Sequence, residues 1–532
     1  MTWDGENPGG FRRCFLLGGA ALGVDDALCR AAAWPVGFGE ARMRLTTVLA
    51  RPFVRGGVVP WPVAVLAGML GLLLLLTSGR YGYHGDELYF LSAGRHLDWS
   101  YVDQPPLTPL LARLMDTLFP GSVVALRVPA VACAVAGVLF AAVTAKELGG
   151  SLRAQVLTAA AVAGAPGVAA GGHVLTTSVV DTFLWIVCTW LLVRWGRRRD
   201  DRLLLWLGLV TAVALQVKYL IVFFWVVAGA AIIVAGPRGL LRRKTFWLGA
   251  CIAAVTSAPA LWWQARHGWP QLEMGEALVA QADPGGGGVV GYLVEVVVPL
   301  GVLGVLLLGG GLCRAFRSPE LRFLGCTFAG LLLVFWFTFG HGYYMTGMYA
   351  GLVAIGAVGS DHVSGRWLPW VAWPAGVLSI AMLVMALPIR PVESLAGEDP
   401  DQNAMNFESV GWPQLADTVA TVHGADAGAT IVAHDYWVAS ALARYGPERG
   451  LPTAYSPHRG YWYFGMPSED ATTVVYVGGS EAQLRRYFTD VRHAGVVDNG
   501  LGIENSAQGT TIWLCRGPRQ PWSALWPELR YL

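Results

Sequence analysis

Long apolar blocks recur along the first three quarters of the chain, most of them roughly 17–23 residues in length, which as helices would cross a hydrocarbon core of about 30 Å. In a bilayer every backbone N–H and C=O must be satisfied within the protein, so blocks of this kind can fold only as helices packed on one another. Composition agrees: 54% of the 532 residues are hydrophobic and 14% are charged, against roughly 25% charged in a soluble domain. Eleven spans are expected, at about 60–78, 123–145, 154–171, 174–194, 203–217, 219–236, 245–263, 289–311, 323–339, 346–359 and 368–387. The net charge of +2 gives no electrostatic footprint for nucleic acid.

The distribution of charge sets the orientation. Alternate connections hold Lys146 and Arg153, then Arg194, Arg197, Arg198, Arg199 and Arg202, then Arg238, Arg242, Arg243 and Lys244, then Arg314, Arg317 and Arg322, then Arg366. The tail before the first span adds seven arginines. The intervening loops hold far fewer, so the positive-inside rule puts the first set in the cytoplasm. The loops 79–122, 264–288 and 340–345, and everything after about 388, are then extracytoplasmic.

Three regions follow. Residues 1–57 read as a disordered cytoplasmic tail within which Met43 is an alternative start, and 58–387 as the membrane domain. In 388–532 charged and turn residues return. Strand-like runs at Thr430–Ala433, Thr473–Val477 and Thr510–Leu514 alternate with helix-like stretches at Val438–Tyr445 and Glu481–Val491, which predicts a small α/β domain outside the membrane. Gly285–Gly288 reads as a flexible joint. The eight cysteines show no metal-type or disulfide spacing and read as small buried hydrophobes.

Candidate chemistry gathers in the extracytoplasmic loops. Asp86 and Glu87 follow the first span, where a carboxylate pair near hydrocarbon is costly unless it is paired or functional; the plain alternative is capping of a helix running to about Leu97 by Asp86. Asp103 and Gln104 precede Pro105-Pro106, which forces a turn into a second surface helix. Arg127 stands at the mouth of the second span, able to snorkel or to hold an anion. Asp181 lies inside an apolar block and is a functional candidate on that ground. Lys218 forms a tight turn. His267 and Trp269 open a later loop, and His341, Tyr343 and Tyr344 fill another, where an interfacial aromatic belt is the plain alternative. Carboxylates suit a general base, cations suit a departing phosphate, and aromatic rings suit sugars and lipid. A transporter or flippase with a polar vestibule would draw on the same residue types, although no internal repeat is visible.

The motifs Asp86-Glu-Leu-Tyr-Phe-Leu91 and Tyr101-Val-Asp-Gln-Pro-Pro-Leu-Thr-Pro-Leu-Leu111 resemble those of the dolichyl-phosphate-mannose protein mannosyltransferases and the bacterial aminoarabinose lipid A transferases. The likeness extends through Ala125-Leu-Arg-Val-Pro129, Thr176-Thr-Ser-Val-Val-Asp181, Lys218-Tyr219, Gln264–Glu273 and Gly342-Tyr-Tyr344. The resemblance implies an all-α polytopic membrane protein of the GT-C fold and an inverting transfer of a sugar from a polyprenyl-phosphate donor to a glycan, glycolipid or protein acceptor at the plasma membrane. It implies catalytic roles for Asp86, Glu87 and Asp181. Arg127, Lys218, His341, Tyr343 and Tyr344 would hold donor phosphate or lipid, and Tyr89, Asp103, Gln104, His267 and Trp269 would line the loop or acceptor side. Relatives often carry Lys or Arg just before the Tyr-Tyr turn, and the nearest candidate here is His341. No cofactor is required by the resemblance, although a divalent metal is compatible with it. Mannose, arabinose and an aminosugar all remain open.

Overall fold

Among the described residues the first helix follows Pro60, an extended N-cap at φ −66° and ψ 145°. In the computed structural model, which describes residues 59–281, 288–338, 340–361, 368–400 and 403–532, each expected apolar block falls on helix. The helices are α1 (Trp61–Thr77), α2 (Gly85–Arg95), α3 (Leu107–Leu118), α4 (Val123–Glu147), α5 (Leu152–Ala163), α6 (Pro166–His173), α7 (Thr177–Arg198) and α8 (Arg202–Leu215). They continue as α9 (Leu220–Ala235), α10 (Lys244–Arg266), α11 (Pro270–Gln281), α12 (Gly288–Val297), α13 (Gly301–Arg317), α14 (Arg322–Phe337), α15 (Thr346–Ser360) and α16 (Leu368–Ala386). The tail 1–57 and residues 285–287 of the expected joint lie outside the described residues.

Five of these segments are long and apolar enough to cross a membrane: Val123–Glu147, Thr177–Arg198, Lys244–Arg266, Gly288–Arg317 and Pro369–Ala386. Helices α1, α8, α9 and α14 are shorter apolar helices. The block expected as one span at 154–171 is two helices, α5 and α6, bent by 57°. Pro166 is the cause, because it cannot donate to the preceding turn and keeps Ala165 out of the helical region, at φ −75° and ψ 123°.

Side-chain oxygens start several helices: Ser122 accepts from Ala125 N–H, Ser151 from Ala154 N–H and Thr176 from Val179 N–H. Helix α15 is buried on nearly all sides, as an apolar helix without a polar face should be at the centre of a bundle. Glycine lets it get there. A methyl on Gly356 would land on the Leu307 carbonyl and one on Gly311 on the Leu352 carbonyl, so α13 and α15 cross backbone to backbone. Gly208 and Gly249 do the same for α8 and α10.

Beyond α16 the chain forms α17 (Ala404–Phe407), α18 (Trp412–Gly424), α19 (Tyr436–Tyr445), α20 (Glu481–Tyr487) and α21 (Trp522–Leu529) around five strands, β1 (Thr430–Ala433), β2 (Ala454–Tyr455), β3 (Thr473–Val477), β4 (Phe488–Val496) and β5 (Thr511–Pro518). The sheet order is β2-β1-β3-β5-β4. Strand β1 runs parallel to β2 and β3, with Ile431 opposite Ala454 and Val475, while β5 is antiparallel to β3 and β4. The helix expected over Glu481–Val491 stops at Tyr487. From Phe488 the backbone pairs with β5 instead, Phe488 opposite Pro518 and Asp490 opposite Arg516. Helix α19 packs on α2, and that contact brings the sheet region to the loop that follows α1.

Candidate active site

The start of α2 differs from the expected one. His84, not Asp86, is the N-cap: its Nδ1 accepts from Asp86 N–H at 3.1 Å, and Glu87 returns the bond by accepting from His84 N–H at 3.0 Å. The helix ends at Arg95, and Leu97 lies beyond it, half exposed. With the cap supplied by its neighbours, the Asp86 carboxylate is free to face elsewhere.

Glu87 and Arg127 face inward, and both are fully buried. Arg127 Nε donates to Glu87 Oε1 at 2.9 Å and Nη2 to Glu87 Oε2 at 2.8 Å. The remaining N–H groups of Arg127 go to Ser78 O at 2.8 Å, His173 Nε2 at 3.1 Å and Gly82 O at 2.7 Å. All five donors of the guanidinium are therefore used within the protein. Glu87 Oε1 also accepts from Leu175 N–H at 3.0 Å. Neither side chain lines the cavity described next. Arg127, expected as a phosphate ligand, and Glu87, expected as a catalytic group, are thus not brought to the cavity wall: a fully buried pair with its bonding capacity filled ties α2, α4 and the α6–α7 connection together.

A cavity of about 1210 Å³ opens between the helices and the sheet region. Asp86, Tyr89, Asp103, Gln104, Lys218 and Arg459 contribute its polar lining, and much of the remainder is aliphatic or aromatic, including Val162, Val168, Phe183 and Ile186. Asp86 Oδ1 accepts from Trp437 Nε1 at 2.9 Å and from Tyr436 OH at 3.4 Å. Its partners thus come from α19, some 350 residues further along the chain.

Tyr89 donates its hydroxyl to Asp103 Oδ1 at 3.0 Å. Burial raises the Asp103 carboxyl to about 6, opposed by the Arg459 charge and the Tyr89 hydrogen bond. Gln104 is buried and Trp269 lines the cavity mouth with a positive φ of 63°. His267 is not among the lining residues; its ring stacks on Trp263 at 4.0 Å and meets the edge of Tyr463. His267, expected on the loop or acceptor side, is packed beside the cavity rather than on its wall.

Lys218 sits in the turn between α8 and α9. Its ammonium lies 4.6 Å from the Tyr344 ring centroid and 5.9 Å from that of Tyr343, and it donates to Ser178 Oγ at 3.3 Å. Tyr343, Tyr344 and His341 line the cavity as expected by position. His341 stacks on Tyr343 and approaches Glu295, Nδ1 to Oε2 at 3.7 Å. Asp181 is buried one turn into α7, where its Oδ1 accepts from Trp185 Nε1 at 3.1 Å, and it does not line the cavity. Its charge acts on Lys218, which places Asp181, expected as a catalytic group, behind the cavity wall rather than on it.

The residues the sequence reading missed are Tyr436, Trp437 and Arg459, while Gln264 and Gln271 stood in the Gln264–Glu273 motif without a role of their own. Gln264 donates to Ser100 Oγ at 3.0 Å and Tyr101 O at 2.8 Å and shapes the floor of the loop. Tyr436 and Trp437 stand in an ordinary-looking helix, with no local signal. Arg459 stands in the aromatic run Tyr455–Phe464, where nothing local marks out the arginine itself. Among the described residues no group of three or more His, Cys, Asp or Glu side chains is placed to hold a metal ion.

The family model of dolichyl-phosphate-mannose-protein mannosyltransferases matches residues 103–263. A curated relative, the lipid A galacturonosyltransferase RgtD of Rhizobium johnstonii, is 28% identical over 208 residues, covering 38% of this chain and 43% of that protein. The chain therefore matches less than half the length of this relative. Among solved structures, ArnT from Cupriavidus metallidurans bound to undecaprenyl phosphate superposes with a TM-score of 0.57 at 14% identity, over 85% of this chain and 97% of ArnT. Its apo form superposes with a TM-score of 0.56 over the same shares. The elements, their order and the C-terminal sheet give this chain the GT-C fold of the PMT and ArnT type.

Proposed function

We propose that this protein is a membrane glycosyltransferase that moves a sugar from a polyprenyl-phosphate carrier to an extracytoplasmic acceptor, with inversion at the anomeric carbon. The carrying observation is the cavity: one large volume with carboxylates and cations at one part of its wall and aliphatic side chains over much of the rest. An isoprenoid tail needs the second surface, and a phosphate and sugar need the first. The match to the mannosyltransferase family model and to an ArnT structure carrying undecaprenyl phosphate supports that assignment of the two surfaces.

In this reading residues 58–387 form the membrane catalytic part at the plasma membrane, and 388–532 the extracytoplasmic part. The donor phosphate lies by Lys218, with Tyr343, Tyr344 and His341 around it, and Asp86 faces the anomeric carbon. Asp86 takes the proton of the acceptor hydroxyl as that oxygen bonds to the anomeric carbon. The bond from that carbon to the phosphate oxygen breaks, and the electron pair stays with the phosphate, whose added charge Lys218 stabilises. Trp437 and Tyr436 fix the Asp86 oxygen they donate to, leaving the other for the proton. Asp181 sustains the charge of Lys218 from outside the cavity. Glu87 and Arg127 hold the loop that carries Asp86. A monophosphate leaving group needs less neutralisation than a diphosphate, so this chain's own cations suffice.

The sugar is mannose, arabinose or a related residue, and the acceptor a glycan, glycolipid or protein of the cell envelope. The test is label transfer from a panel of radiolabelled undecaprenyl-phosphate sugars in membranes containing the wild type or Asp86→Asn. Transfer by the wild type that disappears in the variant is the expected result. Movement of intact lipid across the bilayer without transfer would replace this reading with a flippase.

A further inference from the structure

Asp86 lies between two positively charged groups that do not share their other partners. Lys218 is within electrostatic reach of Asp86 and Asp181, whereas Arg459 is within reach of Asp86, Asp103 and Asp435. The polar wall thus has two halves with Asp86 common to both. The Lys218 half carries Ser178, Tyr343 and Tyr344 and belongs to the helical bundle. The Arg459 half carries Asp103, Tyr89 and Tyr436, and its cation comes from the sheet region.

Arg459 is held ready rather than loosely placed. Its backbone is left-handed at φ 49°, uncommon for a residue with a side chain. It is kept there by its own N–H, which donates to Tyr531 O at 2.9 Å. The next residue, Gly460, has no room for a side chain, because a methyl would land on the Tyr89 hydroxyl. The guanidinium lies 4.9 Å from the Tyr436 ring centroid, and Nη1 donates to Tyr436 OH at 3.1 Å. Nε is buried with no partner. The residue itself lines the cavity, so its charge is presented to whatever occupies that wall. Beside it Asp103 accepts from Tyr89 and faces the same cavity.

We propose that Arg459 and Asp103 form the subsite that reads hydroxyl groups of the transferred sugar, so that the C-terminal region supplies part of the active site. This rests on the glycosyltransferase reading above. A sugar hydroxyl both donates and accepts; a guanidinium beside a carboxylate offers an acceptor for one hydrogen and a donor for a neighbouring oxygen. With phosphate on the Lys218 half and Asp86 between, the sugar on the carrier extends toward Arg459. Asp86 is then shared for a chemical reason, since the anomeric carbon lies where phosphate ends and sugar begins.

The experiment compares binding of bare undecaprenyl phosphate with binding of the undecaprenyl-phosphate sugar from which the wild type transfers label, for the wild type, Arg459→Gln, Asp103→Asn and Lys218→Ala. The wild type should bind the sugar-bearing lipid more tightly than the bare carrier. In Arg459→Gln and Asp103→Asn that advantage should fall by about tenfold, the worth of one charge-assisted hydrogen bond. Bare-carrier affinity should hold within about twofold, the level expected of a substitution away from the phosphate; that retained binding also shows the variants are folded. Lys218→Ala should lose affinity for both lipids. Loss of bare-carrier binding in both Arg459→Gln and Asp103→Asn would overturn the subsite by making Arg459 a phosphate ligand or a structural prop. Survival of the sugar advantage in both would overturn it equally. If the wild type transfers no label at all, it is the glycosyltransferase reading that fails, a distinct outcome.

Discussion

Arg127 and Glu87 meet in a two-pronged pair, Nε to Oε1 at 2.9 Å and Nη2 to Oε2 at 2.8 Å, with both side chains fully out of solvent. The pair is enclosed by the carbonyls of Ser78 and Gly82, the ring of His173 and the amides of His84 and Leu175. Such a pair holds a backbone arrangement in place, and its value is felt when half of it is removed.

Removing one partner leaves the other charged and unpaired in a dry environment, at a cost of about 3–5 kcal/mol. Arg127→Ala and Glu87→Ala should therefore lower yield and thermal stability of the detergent-purified protein. The double variant should be less harmed than the sum of the two. A double-mutant cycle on unfolding temperature measures this, and additive effects would show that the pair is not coupled.

Asp86 should behave in the opposite way. Asp86→Asn keeps the shape and can still accept from Trp437 Nε1, so folding should survive. Activity should drop by about 10²–10⁴-fold, the range for losing a general base. Trp437→Phe removes one donor to Asp86 and should cost activity by about tenfold, equivalent to one hydrogen bond to a charged group, with binding of undecaprenyl phosphate unchanged. Steady-state transfer and lipid binding measured side by side separate the two effects.

Asp103 supplies a pH signature. Burial raises its carboxyl to about 6, above the ordinary value of about 3.9. A raised carboxyl favours the neutral form in the folded protein, so its contribution to stability is present in acid and is lost as pH rises through about 6. The wild type should thus lose stability relative to Asp103→Asn between about pH 4 and 6. Transfer needs the ionised form to accept a sugar hydroxyl, so wild-type activity should climb with its midpoint near pH 6. Asp103→Asn should flatten both profiles. Melting curves and rates taken across this range provide the check.

Gly356→Leu places a side chain where the Leu307 carbonyl already sits. Overpacking of this sort costs about 1–3 kcal/mol or more, and α15 carries the Thr346 end of the cavity wall. Lower melting temperature and weaker undecaprenyl phosphate binding should appear together, and Gly359→Leu, where no backbone lies so close, should show neither to the same degree.

The sequence alone determined the helical bundle and the identity of the loop that carries Asp86 and Asp103. Both follow from local rules: backbone groups in lipid must pair within a helix, and Pro105-Pro106 must turn. Strands β1 and β3 were legible because their apolar runs are short and bounded by turn residues. Strand β4 was not, because Glu481–Val491 carries a helix-like pattern that the sheet overrides from Phe488 onward. The partners of each charge were also beyond reach. Arg127 and Asp181 look like site residues in a list of polar groups within apolar blocks, yet one is saturated by Glu87 and three neighbouring groups and the other turns toward Trp185. Conversely Trp437, Tyr436 and Arg459 lie far from Asp86 in the chain and beside it in space. Which way a buried charge is satisfied depends on long-range packing, and a carboxylate is bound by whichever donor the fold brings within 3 Å, so only the tertiary structure could decide it.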